Sequence, residues 1–131
     1  MAKYCEALEM EVKFFDKESS IKEKKLILMQ SDIISVHLPL NDETINFFSL
    51  NEFKLMKKKP FIINTSRPQI FEKKSLIHAL ENNLVAGLAM DFVSYSADNV
   101  IDNDFEHLFN KNVFLTPHLA GNTHESIEIA S

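Results

Sequence analysis

The chain has 131 residues, enough for one ordinary domain, and its 45 % apolar and 25 % charged content is the balance of a globular protein rather than a disordered one. A formal charge of −5 argues against nucleic acid as a partner, and no run approaches the roughly 18 apolar residues of a membrane span. Cys5 is the only cysteine, which excludes an intrachain disulfide and suits a reducing cytoplasm; acids arrive by Glu6, unlike a secretory leader.

Met1, Tyr4, Cys5 and Leu8 recur at helical spacing, so the chain is expected to open inside an amphipathic helix, with Cys5 on its core-packed side. Val12–Phe15 reads as a short apolar strand ending at Asp16. Ser20 and Glu23 have capping-box spacing and open a helix through Leu26 and Ile27. Ile33–Leu38 is nearly all apolar and stops at Pro39, which predicts a strand buried on both faces. Ser49 and Glu52 repeat the capping spacing for a helix expected to end in Lys57, Lys58 and Lys59, where cations suit the dipole. After Pro60 comes strand Phe61–Ile63, running into Asn64-Thr65-Ser66-Arg67. A helix over Lys73–Asn82 is followed by Asn83, a residue that tolerates the left-handed conformation. Val85–Phe92 reads as a strand, Ser94–Glu106 as an acidic loop, Val113–Leu115 as the last strand, and Thr123–Ser131 as the start of a helix.

Strands alternating with helices over short connections mean an α/β fold: part of a doubly wound parallel sheet in three layers, α/β/α. Ligands bind such sheets at the carboxyl ends of the strands. Those ends carry Asp16, His37 with Pro39, Asn64 to Arg67, Asp91 and His118. Taken singly, each has a plain explanation as a helix cap, a packed histidine or a surface ion pair; together on one edge they point to a site. His78, His107 and His124 lack companions at metal-ligand spacing, so no metal site is expected.

Four runs decide the kinship: Ser31-Asp32-Ile33-Ile34-Ser35-Val36-His37-Leu38-Pro39-Leu40, Ile62-Ile63-Asn64-Thr65-Ser66-Arg67, Val85-Ala86-Gly87-Leu88-Ala89-Met90-Asp91 and Leu115-Thr116-Pro117-His118-Leu119-Ala120-Gly121. In order and spacing they resemble the D-isomer-specific 2-hydroxyacid dehydrogenases and their Rossmann-like NAD-binding domain. The resemblance implies NAD as cofactor, a small 2-hydroxy or 2-keto acid as substrate, and hydride transfer between them. It places Asp16 on the adenosine ribose, Pro39 and Thr44 beside the cofactor, and Thr65 and Ser66 under the nicotinamide ribose. Arg67 would bind the substrate carboxylate and polarise its keto oxygen. Asp91 would hold the nicotinamide amide, His118 would move the proton, and Gly121 would lie against the cofactor. A homodimer through the cofactor domain is compatible with that family.

The departures are as informative. The chain holds two glycines, Gly87 and Gly121, where average usage gives about nine, so it contains no glycine-rich phosphate loop. The resemblance implies that this loop and the first strand precede Met1, that the final helix is cut short, and that residues 1–131 are one truncated domain. With order 3-2-1-4-5-6, loss of strand 1 is expected to part the Asp16 and Ile33–Leu38 strands from the Arg67 side. Ser96 stands where the family usually has the glutamate paired to the catalytic histidine. Pro68 replaces the usual glycine and should force Arg67 into extended backbone. Glu9 replaces a helix-ending glycine, at a cost of roughly 1 kcal/mol if left-handed. Two functions follow: an NAD-dependent oxidoreductase whose chemistry this chain alone does not complete, or a non-catalytic remnant that senses cofactor or dimerises.

Overall fold

The computed structural model describes residues 1–16, 19–91, 103–108 and 110–117. After helix α1 (Ala2–Ala7), helix α2 (Ile21–Gln30) leads to strand β1 (Ile33–Val36), and helix α3 (Leu50–Leu55) to strand β2 (Phe61–Asn64). A 3-10 turn (Pro68–Ile70) and helix α4 (Lys73–Glu81) connect to strand β3 (Gly87–Asp91), and a second 3-10 segment (Asn103–Leu108) precedes strand β4 (Val113–Thr116). The four strands form one parallel sheet in sequential order β1-β2-β3-β4, in register from Ile33↔Phe61↔Gly87 upward. An α/β fold is thus established.

Period-2 alternation sorts the sheet into two faces. Ile62, Asn64, Leu88 and Met90 are buried on one of them, beneath a core that includes Phe53, Leu76, Ala79, Leu80 and Phe105. Ile33 (45 % exposed), Phe61 (50 %) and Phe114 (67 %) stand on the other, so the described residues do not fill a third layer there. For the same reason β1 is buried on one face rather than two, with Ile33 and Ser35 outward and Val36 inward.

Three local expectations change. Val12–Phe15 is extended but joins no ladder, because no described strand lies beside it to pair its N–H and C=O groups. It is tied instead through Phe15 to the Phe47 ring (5.9 Å) and Lys13 Nζ to Gln30 Oε1 (3.3 Å). The break expected after Ile33–Leu38 therefore falls before it: β1 pairs directly with β2 on the Arg67 side. Helix α1 buries no residue, and Met1, Tyr4 and Leu8 are exposed, so Cys5 is half-buried rather than core. Its end does behave as anticipated, with Glu9 left-handed at φ 61°. Helix α3 stops at Leu55, short of the lysines: Lys59 N–H bonds to Met56 O (3.0 Å), and Lys59 turns left-handed (φ 52°) before Pro60.

Both capping boxes form. Ser20 Oγ accepts from Glu23 N (3.2 Å) while Glu23 accepts from Ser20 N (2.7 Å) and draws its carboxyl below the ordinary range. Glu52 accepts from Ser49 N (3.1 Å) and Ser49 Oγ (2.7 Å), and also from Lys24 Nζ (3.1 Å), whose ammonium lies 4.0 Å from the Phe47 ring centre. Burial pushes the Glu52 carboxyl up, but the bonds from Ser49 and Lys24 together outweigh it and hold it below the usual value. A depressed folded-state value stabilises the protein above the unfolded carboxyl's pKa, near 4.5, and that contribution fades as pH falls through the folded value. Urea titrations from neutral to acidic pH should therefore show a steeper stability loss for the native chain than for Glu52→Gln; parallel curves would refute the coupling.

Gly87 is required by close approach rather than by conformation. A Cβ there would lie 2.6 Å from Asn112 O and 3.0 Å from Phe61 Cε1, and Asn112 O is already fixed by Leu88 N (3.0 Å). Gly87→Ala is expected to cost about 1–3 kcal/mol as overpacking between β2, β3 and the turn before β4. Chemical denaturation checks this, and an unchanged midpoint would show that the Asn112 turn can yield.

Candidate functional site

The carboxyl end of β2 is closed by a buried amide. Asn64, 1 % exposed, follows Ile62 on the inward face. Its Oδ1 accepts from Ser66 N (2.9 Å) and its Nδ2 donates to Arg67 O (3.0 Å), so one side chain fixes the turn Thr65-Ser66-Arg67. Arg67 is extended (φ −127°, ψ 139°), as its proline neighbour demands, and Pro68 then starts the 3-10 turn, where a missing N–H costs nothing. The guanidinium is exposed, with Nη1 donating to Ser66 O (3.1 Å). Ser66 Oγ donates to Leu38 O and so ties this turn to the end of the neighbouring β1 strand.

The loop after β1 is bound to the same unit. Asn41 Oδ1 accepts from Glu43 N (2.9 Å) and Thr44 N (3.0 Å), and Thr44 Oγ1 donates to Pro39 O. Further on, Asn46 N donates to Gln69 O (2.9 Å) and Phe48 N to Ile70 O (3.0 Å). Pro39, Thr44, Thr65, Ser66 and Arg67 therefore belong to one hydrogen-bonded patch at the β1–β2 edge. One strand further, Asp91 closes β3 just beyond the Asn64↔Met90 pair, and Thr116 of β4 donates its hydroxyl to Asp91 Oδ1.

Asp16 stands apart. It lies in a local turn with Ser19, accepting from Ser19 N at 3.1 Å, after the unpaired Val12–Phe15 segment. His37 is exposed and hydrogen-bonded to Ser35 Oγ (2.8 Å), not packed. His118 and Gly121 lie outside the described residues, as do Ser96, Phe92 and the expected helix over Thr123–Ser131. Among the described residues no group of three or more His, Cys, Asp or Glu could hold a metal ion, and no helix is long and apolar enough to cross a membrane.

The sequence model of the D-isomer specific 2-hydroxyacid dehydrogenase NAD binding domain matches residues 1–120. The chain belongs to this family. As a member of the D-isomer specific 2-hydroxyacid dehydrogenases, it is 32 % identical over 135 residues to the glycerate dehydrogenase of Methylorubrum extorquens, a match covering 98 % of this chain and 41 % of that protein. Against the glyoxylate reductase of Thermococcus litoralis it is 37 % identical over 102 residues, or 78 % of this chain and 30 % of the other. The D-lactate dehydrogenase of Aquifex aeolicus, solved with NAD and lactic acid, superposes with a TM-score of 0.81 at 25 % identity, over 97 % of this chain and 44 % of that one. The chain thus spans less than half the length of these family members.

Two residues that organise this dehydrogenase-type edge were given no role of their own from sequence, although Asn64 was named among the strand ends. Alternation alone carries the signal for Asn64, since it places that residue on the buried face of Ile62. Nothing local signals Thr116, whose partner depends on the β3–β4 register.

Proposed function

We propose that this chain forms the nicotinamide side of the cofactor site in an NAD-dependent oxidoreductase acting on the CH–OH group of a small D-2-hydroxy acid. The observation that carries the reading is the fixed turn after β2: a buried amide and a Ser66–Leu38 tie present an exposed arginine next to the strand that ends in Asp91. Arg67 is the substrate group, its planar fork matching a carboxylate and polarising the adjacent keto oxygen. Thr65 and Ser66 lie under the nicotinamide ribose, Pro39 and Thr44 line the cofactor, Asp91 accepts from the carboxamide, and His118, with Gly121 nearby in sequence, relays the proton. The bound nicotinamide would supply or accept the hydride. Asp16 would take the adenosine ribose, and its carboxylate selects NAD over the 2′-phosphorylated cofactor.

The described residues fit the nicotinamide end of NAD; none supplies a glycine-rich cradle for the pyrophosphate, so the 131-residue chain by itself is inferred to be a weak binder with little turnover. We place the protein in the cytoplasm, with a homodimer through this domain, and with residues 1–131 as one truncated NAD-binding domain. Ser96 in the acid position favours the second reading, a cofactor-sensing or dimerising remnant. NADH fluorescence titration into the chain, with and without a 2-keto acid, separates them. The dehydrogenase reading expects weak binding that the keto acid strengthens and that Arg67→Ala makes indifferent to it. Binding with no keto-acid response supports the remnant, and no binding at millimolar NADH sinks the NAD reading itself.

A further inference from the structure

We infer that Thr116 is a positioning residue: its hydroxyl holds the Asp91 carboxylate in the plane needed to receive the cofactor's carboxamide. The assignment rests on the proposed role of Asp91 toward nicotinamide. Asp91 and Thr116 are register partners in the parallel β3–β4 ladder, each the last residue of its strand. The pair follows Ala89↔Phe114, so both side chains belong to the face of the sheet on which Phe114 is exposed, opposite the buried Leu88 and Met90. Ligands of such sheets meet the strands at this carboxyl edge.

Both residues are half-buried, and Thr116 Oγ1 donates to Asp91 Oδ1. An aspartate has two rotatable bonds, and a carboxylate can accept along about four lone-pair directions. A hydroxyl delivered from the adjacent strand occupies one of them and fixes the rotation of the group about Cβ–Cγ. The remaining directions are then set before any ligand arrives, which lowers the ordering cost of binding an amide N–H. Threonine suits the task twice over: it is β-branched, so its χ1 is stiff in a strand, and it carries a donor. Valine would keep the shape and the strand while removing only the donor.

The test compares NADH with its 3-acetylpyridine analogue, which replaces the carboxamide NH2 by a methyl group and so offers the carboxylate no N–H. Fluorescence titration of the 131-residue chain should show Thr116→Val binding NADH about 5- to 10-fold more weakly, the size of one ordinary net hydrogen bond. Affinity for the analogue should be nearly unchanged, and Thr116→Ser should restore the native preference for NADH. An equal loss for both dinucleotides, or no loss for either, overturns the assignment and leaves the NAD reading intact. Failure of the native chain to bind NADH overturns both.

Discussion

Asn64→Leu is expected to lower the stability of the domain by about 2–4 kcal/mol and to release Arg67 from its fixed turn. The side chain is 1 % exposed and its two amide ends serve opposite needs, Oδ1 taking the Ser66 N–H and Nδ2 reaching Arg67 O. Leucine has the same branching, though bulkier methyl groups, and leaves that donor and that acceptor without their partner, at about 1–3 kcal/mol for each group that water does not reach. Urea unfolding measures the first effect. The second appears as loss of the keto-acid enhancement of NADH binding at urea-free conditions where the variant remains folded. Asn64→Asp sharpens the argument. It keeps the acceptor toward Ser66 but turns an oxygen toward Arg67 O, so an ionised carboxyl is repelled while a protonated one can donate. Burial and that contact raise the folded pKa of the introduced carboxyl, so stability is present at acidic pH and lost as pH rises through it. A variant that weakens instead on acidification, or an Asn64→Leu chain as stable as the native one, would remove Asn64 from its central place.

How much of this was visible beforehand follows from the range of the interactions. The capping boxes at Ser20–Glu23 and Ser49–Glu52, the left-handed Asn83 and Glu9, and the extended Arg67 before Pro68 all depend on residues within a few positions, and sequence spacing predicts them. Val12–Phe15 shows the opposite case. Its apolar run has strand character, but a strand exists only where a neighbour pairs with it, and composition says nothing of neighbours. The same applies to Asp91 and Thr116, brought together by register across intervening chain. The acidic loop concealed a 3-10 segment because only Phe105 and Leu108, at a spacing of one such turn, are apolar and buried there. Of the candidate residues, the structure gathers Pro39, Thr44, Thr65, Ser66, Arg67 and Asp91 along one edge. Asp16 remains on a separate segment, outside the sheet, that is tied to the rest by side-chain contacts of its neighbours such as Phe15 against Phe47.

Phe71→Ala should be the most damaging single truncation, at about 3–5 kcal/mol, because it removes a ring on which both the core and the arginine turn rest. Phe71 is fully buried, stacked on Phe48 at 4.9 Å and near Phe53 at 6.1 Å, and Phe48 in turn meets Phe47 edge-on at 5.2 Å. Its backbone N–H closes the 3-10 turn on Pro68 O (2.9 Å), and Phe48 pairs with it as an isolated bridge. The cavity left by alanine could not close easily. The Phe48 backbone is held by bonds to Ile70 and Glu72, and that of Phe53 by its bond to Ser49, so the main chain resists collapse and only side-chain rotation can fill the space. Phe71→Leu retains most of the volume and should cost appreciably less, which distinguishes cavity formation from loss of ring stacking. If chemical denaturation gave alanine and leucine the same small penalty, below about 1 kcal/mol, the phenylalanine cluster would be a deformable filling rather than the rigid seat of Arg67.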